Sequence, residues 1–596
     1  MNSVYSRVKH ETRKKSLTLH SSWISGTSIA NYLLKDPVID WLKTYYHTHG
    51  LNNTRITRSK IKKMNLKYSK SHGNVLMRNG CHFENKIYAD LIAKFGRNNV
   101  VNLNSQHSLT PEQKIAAFTR TLTEIEKRTP IIIQAYIKSD TLKLEGVTDI
   151  LIRNDHLHKL VREDVETDTS RLHYVVVDVK WSHMQLCVDG KTIRNDGRFK
   201  AYKGQLLIYN IILGEIQAYT PSAAYVMAKS WNIDKKGDER EGRSCYDLLG
   251  VIDYSGRDAS YIDETVKAIN WVREVRERGA GWSPLTPHIK EMCCNSCNQD
   301  ETWAAVKKTI MAETRDITQL WMVTPDHRNI AFDKGVKRWD DEQCRSNVFM
   351  GSGIKSRTID AILEINNSSN ITINVNNVDN RCNWHNYNKH TTRDYYIDYE
   401  TISEAFIENP NMDINNGKLM DGYIFMIGVG YETETGFTHK VFVCNEYTPN
   451  EERRIICEFL SFLSADSEGS HIRLFHWGSV EKTLMDAALI RHNRTIPCFG
   501  YSSIDWIDMC SVFTTGPVVV KGALTFKLKD VAGAMFATGL IKTRWASGEL
   551  ENGLAAMQQA ISYYSGNVGK MAEITKYNMI DCKVVWEIVK CLRILG

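Results

Sequence analysis

The sequence is poor in the features that mark membrane, secreted and repeat proteins. Only 11 of the 596 residues are proline, and no internal repeat of solenoid period is present. No apolar run approaches the roughly 20 residues that cross a bilayer, and the N-terminal segment lacks the apolar centre of a signal peptide. With 42% hydrophobic and 24% charged residues, the chain has the composition of a globular protein. We therefore expect a soluble, intracellular protein with no membrane partner.

Cysteine is sparse for so long a chain. The 14 cysteines are scattered, which favours reduced thiols over a disulfide framework. Only Cys293, Cys294 and Cys297 cluster, in "MCCNSCNQD". A chain of this length is too long for one domain, and we expect two to four.

Acidic residues are absent from residues 54–70, "TRITRSKIKKMNLKYSK", which carry seven Lys or Arg. Such a run is either a solvated basic face or a surface that follows the phosphates of a nucleic acid. The net charge of +7 does not by itself decide between them.

Changes in pattern predict an α/β multidomain protein with four segments. Residues 1–290 begin with a helical and basic segment, and from about residue 80 they alternate helical and strand patterns, including the apolar strands "PIIIQAYI" and "YVVVDVKW". Residues 291–365 read as a mostly helical connector. Ten of the 23 residues from 366 to 388 are Asn, which predicts a linker over 366–392. A last domain, 393–596, opens on strands and closes on helices.

Three acids and a lysine in the first segment are candidates for a metal site. Glu84 lies early in a probable amphipathic helix, and Asp149 lies at a turn-to-strand junction in "KLEGVTDILIR". Asp178 and Lys180 share one face of "HYVVVDVKW", because strand side chains alternate. Carboxylates from separate elements suit Mg²⁺, and a lysine beside them can assist the attack of water on a phosphate. Each fragment alone is equally typical of a sheet-edge ion pair.

A later pair completes an ordered set. Gln205 and Tyr209 in "YKGQLLIYNIIL" are four residues apart, so they share a helix face. The set resembles the RecB-like branch of the PD-(D/E)XK nucleases, which includes the nucleases of CRISPR adaptation, over roughly residues 25–290. Matching positions are Glu84, Gly146 with Asp149, Asp178 with Lys180, and Gln205 with Tyr209. The resemblance implies metal binding by the three acids, catalysis assisted by Lys180, and a site lined by Gln205 and Tyr209.

The cysteines depart from that family's pattern. Many relatives carry an iron–sulfur cluster on four cysteines, one of them near the N-terminus. Here "CCNSC" resembles the late group, but Asp36 stands where relatives often have the early cysteine, and Cys81 lies on the metal-binding helix. An iron–sulfur cluster is therefore unexpected, with a zinc site and ordinary thiols as the alternatives.

A second set of acids appears in the last segment. In "RDYYIDYETIS", Asp398 and Glu400 lie on one face of a strand. Like charges at this spacing repel, so the pair either faces water on an edge strand or holds a cation. Near the end, Tyr577 and Asp581 in "ITKYNMIDCKVVWEIVKCL" are four apart and share a helix face.

These four residues resemble the tyrosine variety of the DEDD exonucleases in the RNase H-like superfamily. The segments "FKLKDVA" and "YNMIDC" are similar to those of predicted RNase H-like exonucleases that follow RecB-like domains in bacterial and viral chains. The resemblance implies two Mg²⁺ or Mn²⁺ ions held by carboxylates, with Tyr577 orienting the attacking water. The family's second motif expects Asp; "HWGSVEKTL" offers Glu481 instead, and Asp486 and Asp505 are weaker candidates.

Together the two resemblances predict a nuclease with two catalytic heads. The first head is expected to be a restriction-endonuclease-like mixed sheet flanked by helices, and the second an RNase H-like α/β domain with 3′–5′ exonuclease activity. The expected substrate is DNA, as single strands or duplex ends, processed in recombination, repair or genome maturation. An RNA-processing exonuclease and a binding scaffold with one inactive head are the alternatives. A viral source, with location in a viral factory or virion rather than cytoplasm or nucleus, and a helicase or recombinase partner stay open.

Overall fold

The computed structural model describes 23–49, 72–105, 109–165, 170–233, 240–298, 302–375, 384–388, 390–416, 422–492, 503–546, 550, 552–567 and 569–595. The basic stretch 54–70 and part of the Asn-rich segment, 376–383, lie outside the described residues. Within them the chain is α/β, with mixed sheets flanked by helices, as predicted. Every helix there is too short or too polar to cross a bilayer.

The chain divides into two compact units. The first is Met1–Thr314 with Glu408–Leu419, and the second is Arg315–Ile407 with Met420–Gly596. These bounds differ from the predicted ones at 290, 365 and 392. Residues 291–314 are part of the first unit, because Trp303, Val306 and Ile310 are buried in its core. The predicted connector is thus divided between two cores.

In the described part of the first unit there are eight strands and eight α-helices. The strands are β1 (Ile24–Ser25), β2 (Val100–Asn102), β3 (Ile131–Ser139), β4 (Leu144–Arg153), β5 (Tyr174–Leu186), β6 (Ala223–Ile233), β7 (Arg240–Gly242) and β8 (Gly250–Asp253). The helices are α1 (Ala30–Leu33), α2 (Val38–His49), α3 (His72–Phe95), α4 (Pro111–Glu126), α5 (Asn154–Leu157), α6 (Phe199–Gln217), α7 (Ser260–Arg278) and α8 (Ala304–Thr314).

These strands form one mixed sheet in the order β2-β3-β4-β5-β6-β7, with β1 paired to β4 and β8 to β6. Both faces are covered, because successive side chains of β5 join opposite cores. Val175, Val177 and Val179 pack in the core that includes α3. Val176 packs in the core that includes α6. By this alternation Asp178 lies on the α6 face, in the centre of the sheet.

The second unit contributes seven strands and nine helices to the described residues. The strands are β9 (Ile373–Asn374), β10 (Thr392–Thr401), β11 (Ile424–Thr433), β12 (Gly436–Val443), β13 (His471–His476), β14 (Asp505–Asp508) and β15 (Val519–Val520). The helices are α9 (Pro325–Asp333), α10 (Ser346–Phe349), α11 (Ile354–Asn367), α12 (Pro449–Asp466), α13 (Val480–Arg491), α14 (Met509–Thr515), α15 (Leu528–Ala537), α16 (Gly553–Tyr564) and α17 (Met571–Leu595).

Five of these strands form a sheet in the order β12-β11-β10-β13-β14, and β9 pairs with β15 separately. The β12, β11 and β10 strands are antiparallel neighbours, while β10, β13 and β14 run parallel. Strand β10 is therefore central. Its odd-numbered residues Tyr395, Ile397 and Tyr399 pack in a core with α12, and Tyr396 packs in a second core with α17.

Part of the segment between β10 and β11, Glu408–Leu419, belongs to the first unit. The Asn409 amide donates to Asn79 Oδ1 at 2.9 Å, and Lys86 Nζ donates to the Met412 carbonyl at 2.7 Å. Met412 is buried in the same core as α3. Helix α3 is thus packed in part by residues that follow it by more than 300 positions.

Candidate functional site

Strand β10 brings two acids of the second unit to one face. Asp398 and Glu400 point away from the core that holds Tyr395, Ile397 and Tyr399, as the two-residue alternation predicts. Asp398 pairs with Gly428 of β11 and Glu400 with Met426, while the pairing of β10 with β13 ends at Tyr396, so both acids lie at the end of a central strand, where Glu400 is buried. An exposed edge strand, the alternative explanation for the pair, is therefore wrong.

Helix α17 adds a third acid. Asp398, Glu400 and Asp581 each bring one carboxylate oxygen within 4.8 Å of the others. Glu400 and Asp581 are buried, and Asp398 is half-buried. Burial raises the pKa of Asp398 and of Glu400 well above the usual values, and the neighbouring carboxylates add to both shifts. Burial likewise raises the pKa of Asp581 to about 7.

Three carboxylates at this separation, two of them buried, fit a divalent cation. Burial of like charges is unfavourable unless an opposite charge lies between them. Hard oxygen donors are the ligands that Mg²⁺ and Mn²⁺ prefer. Asp398, Glu400 and Asp581 are therefore the residues of this unit that could hold such an ion.

Tyr577 lies one helical turn before Asp581 on α17, as predicted, and is buried. Burial raises the pKa of its hydroxyl, and the charges of Asp581, Glu400 and Asp398 raise it further. The hydroxyl therefore stays protonated at neutral pH and is available as a hydrogen-bond donor beside the three acids.

Two residues of this site were not predicted. Lys529 on α15 lowers the pKa of Glu400 and of Asp581 against the larger effect of burial. Its ammonium lies 4.8 Å from the ring centroid of Tyr577 and 5.2 Å from that of Trp545. Trp545 Nε1 donates to Asp581 Oδ1 at 3.0 Å. Neither Lys529 nor Trp545 could be assigned to this site from the sequence, because their contacts with Tyr577 and Asp581 depend on tertiary packing.

Glu481, the substitute in the second motif, lies in the first turn of α13 and is buried. Its charge raises the pKa of all three clustered acids, so it adjoins them without belonging to the closest group. Its Oε2 atom is buried without a hydrogen bond and lies 3.5 Å from His476 Nδ1. A buried carboxylate oxygen without a hydrogen bond would be free to bind a cation held by the other three acids. This role of Glu481 stays a prediction.

The two weaker candidates for that position face away. Asp486 pairs with Lys482 at 2.6 Å, and its side chain is 43% exposed. Asp505 pairs with His471 at 2.7 Å and is 47% exposed. Neither contributes to the acid cluster.

The predicted residues of the first unit also come together. Asp178 is buried on β5 and forms an ion pair with Lys180 Nζ at 2.5 Å. Asp149 of β4 accepts a hydrogen bond from the Val179 amide at 2.7 Å. Burial raises the pKa of Asp178 to about 7, with Lys180 opposing and Asp149 reinforcing the shift. Burial alone would lower the pKa of Lys180, but the two aspartates outweigh it and raise that pKa.

Glu84 approaches this group from α3. Burial raises its pKa to about 7, and Lys180 and Asp178 act on it in opposite directions. Among the described residues, Glu84, Asp149 and Asp178 do not bring their oxygens within 4.8 Å of one another. The Lys180 ammonium balances part of their charge, so this set fits a cation less closely than the acids of the second unit.

The Gln205 and Tyr209 pair lies against β4. Gln205 Nε2 donates to the Tyr209 hydroxyl at 3.1 Å. A Cβ added to Gly146 would lie 2.3 Å from Tyr209 Cε1, so the glycine is what allows the ring to reach Asp149 and Asp178. Burial and the Asp178 charge raise the pKa of Tyr209.

We expect Gly146→Ala to destabilise the protein by about 1–3 kcal/mol, the usual effect of overpacking a buried contact. The added methyl group would push the Tyr209 ring away from the acids. Urea unfolding measures the loss, with Gly281→Ala as the control, because a Cβ there has no neighbour within 4 Å. Equal stability of the two variants would contradict the assignment.

The cysteine cluster lies against a buried ion pair. Asp36 is fully buried and accepts from Lys307 Nζ. It also accepts from the Asn295 amide at 3.1 Å and from Asn298 Nδ2 at 2.9 Å. In the described part of the chain, Cys293, Cys294 and Cys297 do not belong to any group of three converging metal-ligand atoms, and no two cysteines form a disulfide. Whether these cysteines hold a cluster, a zinc ion or neither stays a prediction.

The Asp36–Lys307 pair ties the 291–314 segment to the N-terminal helices, so its loss has a large expected effect. Lys307→Met leaves a buried carboxylate without its cation, which costs about 3–5 kcal/mol of folding free energy. Lys308→Met is the control: that neighbour is exposed, and we expect a change within about 0.5 kcal/mol. Urea unfolding followed by circular dichroism compares the two; equal stability would show that the pair is dispensable.

Tyr88 is a further residue of the first site that sequence reasoning missed. It lies one turn after Glu84, and its pKa is raised by burial and by the charges of Asp149, Glu84 and Asp178. The i, i+4 spacing from Glu84 was the signal in the sequence that could have identified Tyr88.

Comparisons of the whole chain with protein-family models, with curated proteins and with solved structures found no match.

Proposed function

We propose that the second unit is a divalent-metal-dependent nuclease that hydrolyses phosphodiester bonds, acting as a 3′–5′ exonuclease on an RNase H-like fold. The observation that supports this best is the convergence of Asp398, Glu400 and Asp581 within 4.8 Å. Carboxylates this close, two of them buried, repel one another unless a cation lies between them. The order of the acids and Tyr577 along the chain matches the DEDD pattern.

Each side chain has a task in this reaction. A bound Mg²⁺ or Mn²⁺ ion supplies an activated water and neutralises charge that grows on the phosphate. Asp398, Glu400 and Asp581 would hold the ion, and the protonated hydroxyl of Tyr577 would orient the attacking water. Lys529, which interacts with two of the acids, adds positive charge beside the phosphate. Trp545 fixes Asp581 through its hydrogen bond.

For the first unit we propose a second nuclease activity on a restriction-endonuclease-like fold. Its support is the buried Asp178–Lys180 pair at 2.5 Å with Asp149 and Glu84 beside it. The lysine, held cationic by two aspartates, can stabilise the pentacovalent phosphate in the transition state. DNA is the proposed substrate of both heads, with end processing in recombination, repair or genome maturation as the role.

The test is a pair of variants, Asp178→Ala and Asp398→Ala, assayed separately with Mg²⁺ on matched, end-labelled single-stranded DNA, duplex DNA and RNA. We expect each variant to lose a different activity while the other persists. Faster degradation of RNA than of DNA would favour the RNA-processing alternative. Full activity of one variant would favour a scaffold role for that unit, and full activity of both would overturn the proposal.

A further inference from the structure

Asn578 lies between Tyr577 and the acid cluster on α17, and its side chain is fully buried. Its Nδ2 atom donates two hydrogen bonds to Asp398, one to the main-chain carbonyl at 2.9 Å and one to Oδ2 at 2.8 Å. An amide nitrogen carries two hydrogens, so one side chain can make both bonds. The Asn578 amide thereby links the Asp398 carboxylate to the main-chain carbonyl of the same residue.

His439 of β12 sets the orientation of this amide from the other side. Asn578 Oδ1 lies 3.2 Å from His439 Nε2. The carbonyl oxygen of Asp398 only accepts hydrogen bonds, so the amide nitrogen must face Asp398 and the amide oxygen must face His439. It follows that His439 carries a proton on Nε2 and donates it to Asn578.

The sheet is shaped to admit the amide. Asp398 on β10 lies opposite Gly428 on β11, and Gly430 lies opposite His439 on β12. A Cβ at Gly428 would fall 1.6 Å from Asn578 Oδ1, so only glycine lets the amide cross β11. Three adjacent strands and α17 thus converge on one hydrogen-bonded chain that runs from His439 through Asn578 to Asp398.

We propose that Asn578 and His439 are positioning residues that hold the Asp398 carboxylate toward a bound divalent cation. Glu400 and Asp581 repel Asp398, and without a donor its side chain can rotate away from them. Two hydrogen bonds from one oriented amide prevent that rotation and leave the acids arranged for the ion before it binds. The inference rests on the proposed function for the identity of the ligand.

The test measures Mn²⁺ binding by titration calorimetry on the full chain without nucleic acid, in an Asp178→Ala background that weakens the acids of the first unit. We expect His439→Leu to lower the affinity about tenfold, the effect of losing one hydrogen bond to a charged network. His439→Gln keeps an amide donor at a similar reach and should stay within about threefold of the parent. Asn578→Asp replaces the donor by an acceptor and should lower the affinity at least as much as His439→Leu.

Thermal unfolding without metal checks that each variant folds. If Asn578→Asp does not fold, the comparison rests on His439→Leu and His439→Gln alone. Equal Mn²⁺ affinity of His439→Leu and His439→Gln would overturn the inference, as would a parent that binds no Mn²⁺. The expected order of affinities without any degradation of nucleic acid would sustain the positioning role and refute the proposed function instead.

Discussion

Asp581→Asn is expected to lower the rate of exonucleolytic degradation by about three orders of magnitude or more. The substitution keeps the size of the side chain and its hydrogen-bonding position near Trp545, but it removes one of three negative charges at the cation site. A bound metal ion contributes several kcal/mol of transition-state stabilisation, and each 1.4 kcal/mol corresponds to a factor of ten in rate. Single-turnover assays on 5′-labelled DNA, in an Asp178→Ala background, isolate this activity.

The matched control is Asp486→Asn, which makes the same chemical change on the exposed face of α13. We expect its rate to stay within about twofold of the parent, because the side chain is exposed and its ion pair with Lys482 lies at the surface. If both substitutions slow the reaction equally, the loss results from the change in the net charge of the protein, and the acid cluster is not the catalytic site.

Adding a divalent cation is expected to raise the melting temperature of the protein strongly, and to raise it more at pH 8 than at pH 5. Burial raises the pKa of Asp581 from 3.8 to about 7, and it raises that of Asp398 and Glu400 in the same direction. Between the unfolded and the folded pKa, the unfolded chain has lost the proton that the folded chain still holds. Stability of the metal-free protein therefore falls as the pH rises from about 4 to about 7.

A bound cation removes that loss, because it favours the ionised carboxylates that burial disfavours. At pH 5 binding must displace protons, so the gain is smaller. Thermal unfolding with and without Mn²⁺ at the two pH values measures the effect, and Asp581→Asn should reduce both the pH dependence and the cation-induced shift. A melting temperature that responds neither to pH nor to Mn²⁺ would contradict the account.

Local sequence patterns predicted the parts of the sites that each lie on one element. The alternation of β10 placed Asp398 and Glu400 on one face, and the four-residue spacing on α17 placed Tyr577 and Asp581 together. Strand β5 likewise carries Asp178 and Lys180 as an ion pair. These relations depend only on the geometry of a strand or a helix, which a few residues determine.

Relations between distant elements were not predictable in the same way. Lys529 and Trp545 reach Asp581 only because α15 and the segment after it pack beside α17. The packing of 408–416 into the first unit has no local signal, since a short polar stretch between two strands is typical of an ordinary loop. The partner of Asp36, Lys307, lies 271 residues away along the chain, so no local pattern could show this ion pair.

The most direct test of the central claim is anomalous diffraction from crystals of the full chain soaked in MnCl₂. The account predicts a manganese peak bound by oxygens of Asp398, Glu400 and Asp581, and the loss of that peak in Asp581→Asn crystals. A parent crystal with no manganese at these three residues would contradict it.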